Sequence, residues 1–134
     1  MKKFVVQTAA RTEMIDITHI VKQYIIDERV SNGFIFVFVP HTTAGVTINE
    51  GADPAVQQDI ISFLDKLIPI NNSFFHLEGN SDAHIKASLI GASVTLLVED
   101  NKLILGTWQH IFLFEADGPR SRKIFISQVP LVKQ

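Results

Sequence analysis

Apolar residues along this chain recur at two different periods, and the switches between them outline its elements. Residues 4–8 are short and β-branched and predict a strand. From Thr18 as N-cap, Ile20, Val21, Tyr24 and Ile25 recur at helical spacing until Ser31-Asn32-Gly33 ends the helix. Residues 34–39 form an unbroken aromatic and β-branched run stopped by Pro40. The run is too short for an ordinary helix, and it predicts a central strand buried on both faces. Residues 45–49 resume as a strand. Asp53-Pro54 then supplies an N-cap and a proline at the first helical position. The helix it starts carries Val56, Ile60, Phe63, Leu64 and Leu67 on its apolar face and stops at Pro69.

Residues 71–80 show no usable periodicity and read as a loop, long enough inside a small domain to suggest a functional role. Ser81 or Asp82 caps a short helix over residues 83–90, which Gly91 ends. Strands are predicted over 94–99, 103–106, 107–115 and 123–129, with a tight hairpin at Asp100-Asn101 and a turn at Gly118-Pro119. This order predicts one α+β domain over residues 1–134, a largely antiparallel sheet or sandwich with two main helices and one short helix.

Composition narrows the function classes. A chain of 134 residues, 46% hydrophobic, has room for one sizeable core. A net charge of -2 disfavours a generic nucleic-acid binder or an anionic-membrane binder. The absence of cysteine removes thiolate zinc sites and cysteine nucleophiles, leaving imidazoles and carboxylates as metal ligands. The longest apolar runs fall far short of the ~20 residues that span a bilayer, and the N-terminal residues form no apolar signal core. A cytoplasmic protein is expected. Residues 1–100 carry 7 basic and 12 acidic groups, whereas 101–134 carry 5 and 2, chiefly through Arg120, Arg122 and Lys123.

Three polar segments sit at element ends, where a rigid sheet can position accessible groups. The first runs from His41-Thr42-Thr43 to Asn49-Glu50. Its hydroxyls and backbone N–H groups suit an oxyanion. The second, residues 76–84, gathers His76, Glu78, Asp82 and His84, side chains that bind zinc where thiolates are absent, although a solvated loop accounts for them equally well. His41 at a strand end would make a three-histidine set with an open position. The third holds Arg120 and Arg122, which in an extended chain point to one side and could clamp one phosphate. Glu50 and Asp59 are candidate acid/base groups, and His19 and His110 read as structural. No nucleophile elbow, dinucleotide fingerprint or P-loop is present.

Residues 40–50, 78–88, Leu105-Gly106-Thr107-Trp108-Gln109 and 117–122 together closely resemble the YjbQ family over nearly the whole chain. The resemblance implies a small α+β domain, a homotrimer, and a weak secondary thiamine-phosphate synthase activity whose physiological role is unsettled. It implies a divalent metal, with zinc ahead of magnesium or manganese, on His41, His76 and His84, and Asp82 as a ligand or near-ligand. A small phosphorylated metabolite would then be bound by Thr42, Thr43, Asn80, Arg120 and Arg122, with Glu50 or Asp59 in proton transfer or behind the metal ligands. A metal-dependent hydrolase and a non-catalytic binder of a phosphorylated ligand remain the alternatives.

Overall fold

The computed structural model describes residues 1–131. Their strands form two sheets, and every pairing is antiparallel. In the five-stranded sheet the order is β1 (Lys2–Gln7), β8 (Ser121–Pro130), β3 (Gly33–Phe38), β5 (Ser93–Glu99) and β6 (Lys102–Ile104). The three-stranded sheet places β7 (Gln109–Glu115) between β2 (Glu13–Asp16) and β4 (Ala44–Glu50). Three helices complete the α+β fold: α1 (Thr18–Asp27), α2 (Pro54–Leu67) and α3 (Ser81–Ile90).

Strand alternation builds the main core from the inward side chains of both sheets: Ile35, Val37 and Ile124 from one, Val46, Ile111 and Leu113 from the other. Val21, Tyr24 and Ile25 of α1 join them. A second, smaller cluster forms on the opposite face of the three-stranded sheet. There Phe114 and Ala83 are buried, with Ile60, Ile61, Leu64 and Ile90 of α2 and α3 against them. The layers are therefore sheet, core, sheet and helix pair.

Several local expectations are corrected. β2 has only four residues and an equal mix of polar and apolar ones, so no period announced it. The N-cap of α1 is Ile17, because the Thr18 hydroxyl instead accepts the Ile111 N–H at 2.9 Å. Asn80, not Ser81 or Asp82, precedes α3. β3 is interior to its sheet but buried on one face only. Phe36 and Phe38 stand on the outer face, which no other layer among the described residues covers. The hairpin at Asp100 and Asn101 is as expected: both residues adopt positive φ, 50° and 62°, as a primed two-residue turn requires. No helix among the described residues is long and apolar enough to cross a membrane.

Candidate functional site

The carboxylate of Glu115 lies in a fully buried position at the end of β7, where an unpaired charge would be prohibitive. Arg122 of β8, 2% exposed, neutralises it. Arg122 Nε donates to both Glu115 oxygens at 2.9 and 3.0 Å, and Nη2 makes a further short contact with Oε2. Nη2 also donates to the Thr43 hydroxyl at 2.8 Å and the Thr43 carbonyl at 3.1 Å. The Thr8 hydroxyl donates to Glu115 at 2.7 Å and accepts the Arg120 N–H at 2.8 Å. This knot ties β1, β4, β7 and β8 together. It also corrects the expected phosphate clamp, because Arg122 and Thr43 are consumed inside while Arg120, just before β8, faces outward.

Arg120 is held on the chain that turns between the two strands. Its Nε donates to the Asp117 carbonyl at 2.8 Å and Nη2 to the Asp117 carboxylate at 3.0 Å. Asn80, at the start of α3, donates to the same carboxylate at 2.9 Å, and its own amide oxygen is buried with no partner among the described residues. Gly118 makes this turn possible. A Cβ there would stand 2.3 Å from the Ala10 carbonyl oxygen and 2.8 Å from the Thr8 hydroxyl.

Behind α3 lies a second charge cluster. Arg11 grips Asp82 through two hydrogen bonds of 3.0 and 3.1 Å, and buried Lys86 donates to Asp82 at 3.3 Å and to Asp65 at 2.7 Å. Burial raises the Asp82 pKa, but the hydrogen bonds and charge of Arg11, with those of Lys86, more than reverse this and leave it below the usual carboxylate value. Asp82 is thus committed to two cations and is not a metal ligand in this arrangement.

The three histidines do not meet within one chain. His76 and His84 stand edge to face with ring centres 5.4 Å apart, and Glu78 lies 3.6 Å from His76. His41 lies beside β8 instead, where its Nε2 accepts the Lys123 N–H at 2.8 Å. That bond occupies the lone pair a metal would need and leaves the ring proton on Nδ1. Burial lowers the His41 pKa, and the charges of Arg122, Lys123 and Arg120 lower it further against an opposing pull from Glu115. Among the described residues no three His, Asp or Glu side chains are grouped to hold a metal ion. The expected three-histidine centre is therefore not assembled among the described residues of a single chain.

Glu50 and Asp59 also stand elsewhere. Glu50 ends β4 at the opposite end from Thr43 and accepts the Asp53 N–H at 3.1 Å, bracing the entry to α2. Asp59 lies on α2 at a groove with Thr47 and Asn49.

A family profile described as UPF0047 protein YjbQ-like matches residues 2–130. The chain belongs to the YjbQ family. A UPF0047 protein of Methanocaldococcus jannaschii is 53% identical over 124 residues, which is 92% of this chain and 90% of that one. YugU of Bacillus subtilis is 43% identical, covering 96% of this chain and 98% of its own. A crystal structure of a YjbQ/UPF0047 protein from Clostridium acetobutylicum superposes with a TM-score of 0.95 at 49% identity, over 96% of this chain and 100% of that one. A Sulfolobus solfataricus structure, with a TM-score of 0.89, 35% identity and coverage of 93% and 92%, is described as a protein of unknown function.

Among the segments that mark this YjbQ chain, sequence reasoning overlooked Thr8, Arg11, Lys86, Glu115 and Asp117 as parts of one polar framework. A signal existed for two of them. Glu115 interrupts the apolar run of residues 111–116, and Lys86 sits next to Ile85 and Ala87 in α3, so each is a lone charge where burial demands a partner.

Proposed function

We propose that this YjbQ protein binds a small phosphorylated metabolite at the corner formed by His41, Thr42, Arg120 and Lys123. The observation behind the reading is the state of His41: a ring fixed by the Lys123 backbone, kept neutral, with Nδ1–H as a donor in a locally positive field. Arg120 adds an oriented guanidinium whose Nη1 makes no hydrogen bond among the described residues. Thr42 adds an exposed hydroxyl. Arg122 acts from behind, holding Thr43 and the start of β4 in place.

The reaction that the family resemblance implies joins hydroxymethylpyrimidine diphosphate to a thiazole phosphate. A C–N bond forms at the pyrimidine methylene, the C–O bond to the diphosphate breaks, and pyrophosphate leaves with the electron pair. Arg120 and Lys123 would offset the charge growing on that leaving group, and His41 would donate one hydrogen bond to it, without covalent catalysis. His76 and His84 are the pair that would hold a divalent ion. A metal-dependent hydrolase has less support, because among the described residues no third ligand is grouped with them. The reading includes a homo-oligomer, with the trimer that the resemblance implies.

Calorimetric titration with pyrophosphate tests the site. The wild type is expected to bind, with Arg120→Ala and His41→Ala each about 10-fold weaker or worse, the effect of losing a hydrogen bond to a charged group. No binding by the wild type overturns the reading. Mass-spectrometric search for thiamine phosphate after incubation with both substrates then separates a synthase from a binder.

A further inference from the structure

The charge cluster behind α3 holds one cation more than its buried carboxylate needs. Asp82 is fully buried, and Arg11 alone neutralises it through two parallel hydrogen bonds of 3.0 and 3.1 Å. Lys86, only 1% exposed, is added to this pair and reaches Asp82 at the longer distance of 3.3 Å. Burying a second ammonium carries a further desolvation cost, and the neutralisation of Asp82 does not account for it. The closer partner of Lys86 is Asp65, in the last turn of α2, at 2.7 Å.

Lys86 and Asp65 meet at a cavity of about 360 Å³ where the loop between β1 and β2, the end of α2 and α3 come together. Both keep hydrogen-bonding capacity there. An ammonium has three donors, and Asp82 and Asp65 take two of those on Lys86. Asp65 spends Oδ1 on Lys86, and its half-exposed Oδ2 accepts no hydrogen bond among the described residues. Arg11 and Thr12 line the same cavity, the first with guanidinium donors that Asp82 does not use and the second with a hydroxyl. Pro69 and the half-exposed Ile70 give it an apolar side. An apolar wall with a few placed polar groups, at this volume, is the ordinary make-up of a small-molecule site.

Charge decides the class of ligand. Arg11 and Lys86 are balanced by Asp82 and Asp65, so the cluster is neutral as a whole but its charges are separated. A bare anion gains no net attraction there and meets the Asp65 carboxylate, whereas a bare cation meets Lys86 and Arg11. A molecule with both signs a few bonds apart escapes both objections. We propose that this cavity binds an α-amino acid with an apolar side chain. Lys86, Arg11 and Thr12 hold its carboxylate, and Asp65 Oδ2 holds its ammonium, at the end of α2 whose dipole also favours a cation. The side chain lies against Pro69 and Ile70. None of these residues belongs to the phosphate corner described above, and neither site requires the other.

The test is calorimetric titration of the full chain with L-alanine, L-valine, L-leucine, L-methionine and L-phenylalanine. At least one is expected to bind saturably. For the tightest, the matched acid without the amino group and the matched amine without the carboxylate should each bind about 10-fold more weakly or worse, the effect of losing a charged hydrogen bond. Two variants then assign the ends of the ligand, with circular dichroism melting to check that each is folded. Asp65→Asn should weaken the amino acid and the amine but leave the acid unchanged. Thr12→Val, a change of nearly equal shape, should weaken the amino acid and the acid but leave the amine unchanged. A merely structural role for either residue would weaken all three ligands alike. The proposal is overturned if no member of the panel binds, if the acid or the amine binds as tightly as the amino acid, or if a folded variant treats all three ligands alike. Displacement of the bound amino acid by pyrophosphate also overturns it, because the two would then share one site. Pyrophosphate binding by itself reports on the phosphate corner, so either reading can fail while the other stands.

Discussion

Two arginine–carboxylate pairs sit almost side by side in the sequence, Glu115 with Arg122 and Asp117 with Arg120, and burial gives them different work. In the first, both side chains are out of water and every carboxylate oxygen has a donor. Its charge is satisfied internally and offers nothing to a ligand. In the second, Arg120 is 49% exposed and is oriented by Asp117 without being used up. Chemical type is the same, so a basic motif reports on binding only once the burial of each member is known.

The sharpest way to break this comparison is to remove one charge from the inner pair. Arg122→Met leaves Glu115 buried and unpaired, with an expected cost of about 3–5 kcal/mol in urea denaturation. Glu115→Leu with Arg122→Met should recover most of that loss, because two apolar groups of similar shape replace the pair. A single variant within 1 kcal/mol of wild type, on the order of an exposed ion pair, would mean the pair is solvated in solution.

Asp82→Asn comes next. Lys86 keeps Asp65 and Arg11 is partly exposed, so the loss should be smaller, on the order of 2–3 kcal/mol. The folded pKa of Asp82 lies below its unfolded value of about 4, so its contribution is complete above that pH and disappears as pH falls through the folded value. Wild type and Asp82→Asn should therefore converge in stability below about pH 4. A constant gap down to the lowest measurable pH would show that Asp82 is not held ionised by its cations.

These networks also explain what was legible in the sequence. An unbroken apolar run marked β3, helical period and the Asp53 cap marked α2, and turn chemistry marked the Asp100-Asn101 hairpin, because those signals are local. β2 and the Thr18 hydroxyl's bond to Ile111 were hidden, since a four-residue strand and a 93-residue separation leave no periodic trace. At the site, residue types were legible and their partners were not. His41, Arg120 and Asn80 lie on the polar framework of the strand ends, but the sorting of Arg120 outward and Arg122 inward depends on where β8 begins. Glu50 and Asp59 were drawn to the same site by type alone, and β4 and α2 carry them away from it.

Arg120→Ala sharpens the contrast from the outer side. Arg120 is half-exposed and Asp117 keeps the Asn80 hydrogen bond, so the stability cost should stay under about 1 kcal/mol in the same urea titration. A loss as large as that of Arg122→Met would make the outer pair structural too, and the comparison would collapse.

The smallest expected effect is the pH dependence contributed by His41. Its folded pKa is depressed by burial and by the neighbouring cations, while in the unfolded chain it titrates near 6.5. Between those two values the unfolded state binds more protons, so acidification from pH 7 destabilises the protein until the folded imidazole also protonates. At that point Nε2 can no longer accept the Lys123 N–H. The readout is the difference between wild type and His41→Gln. Wild type should lose more stability than the variant on going from pH 7 to 5.5, with a slope difference no steeper than about 1.4 kcal/mol per pH unit. A difference of opposite sign would mean that His41 is charged in the folded state, and the neutral donor at the heart of the proposed phosphate site would be lost.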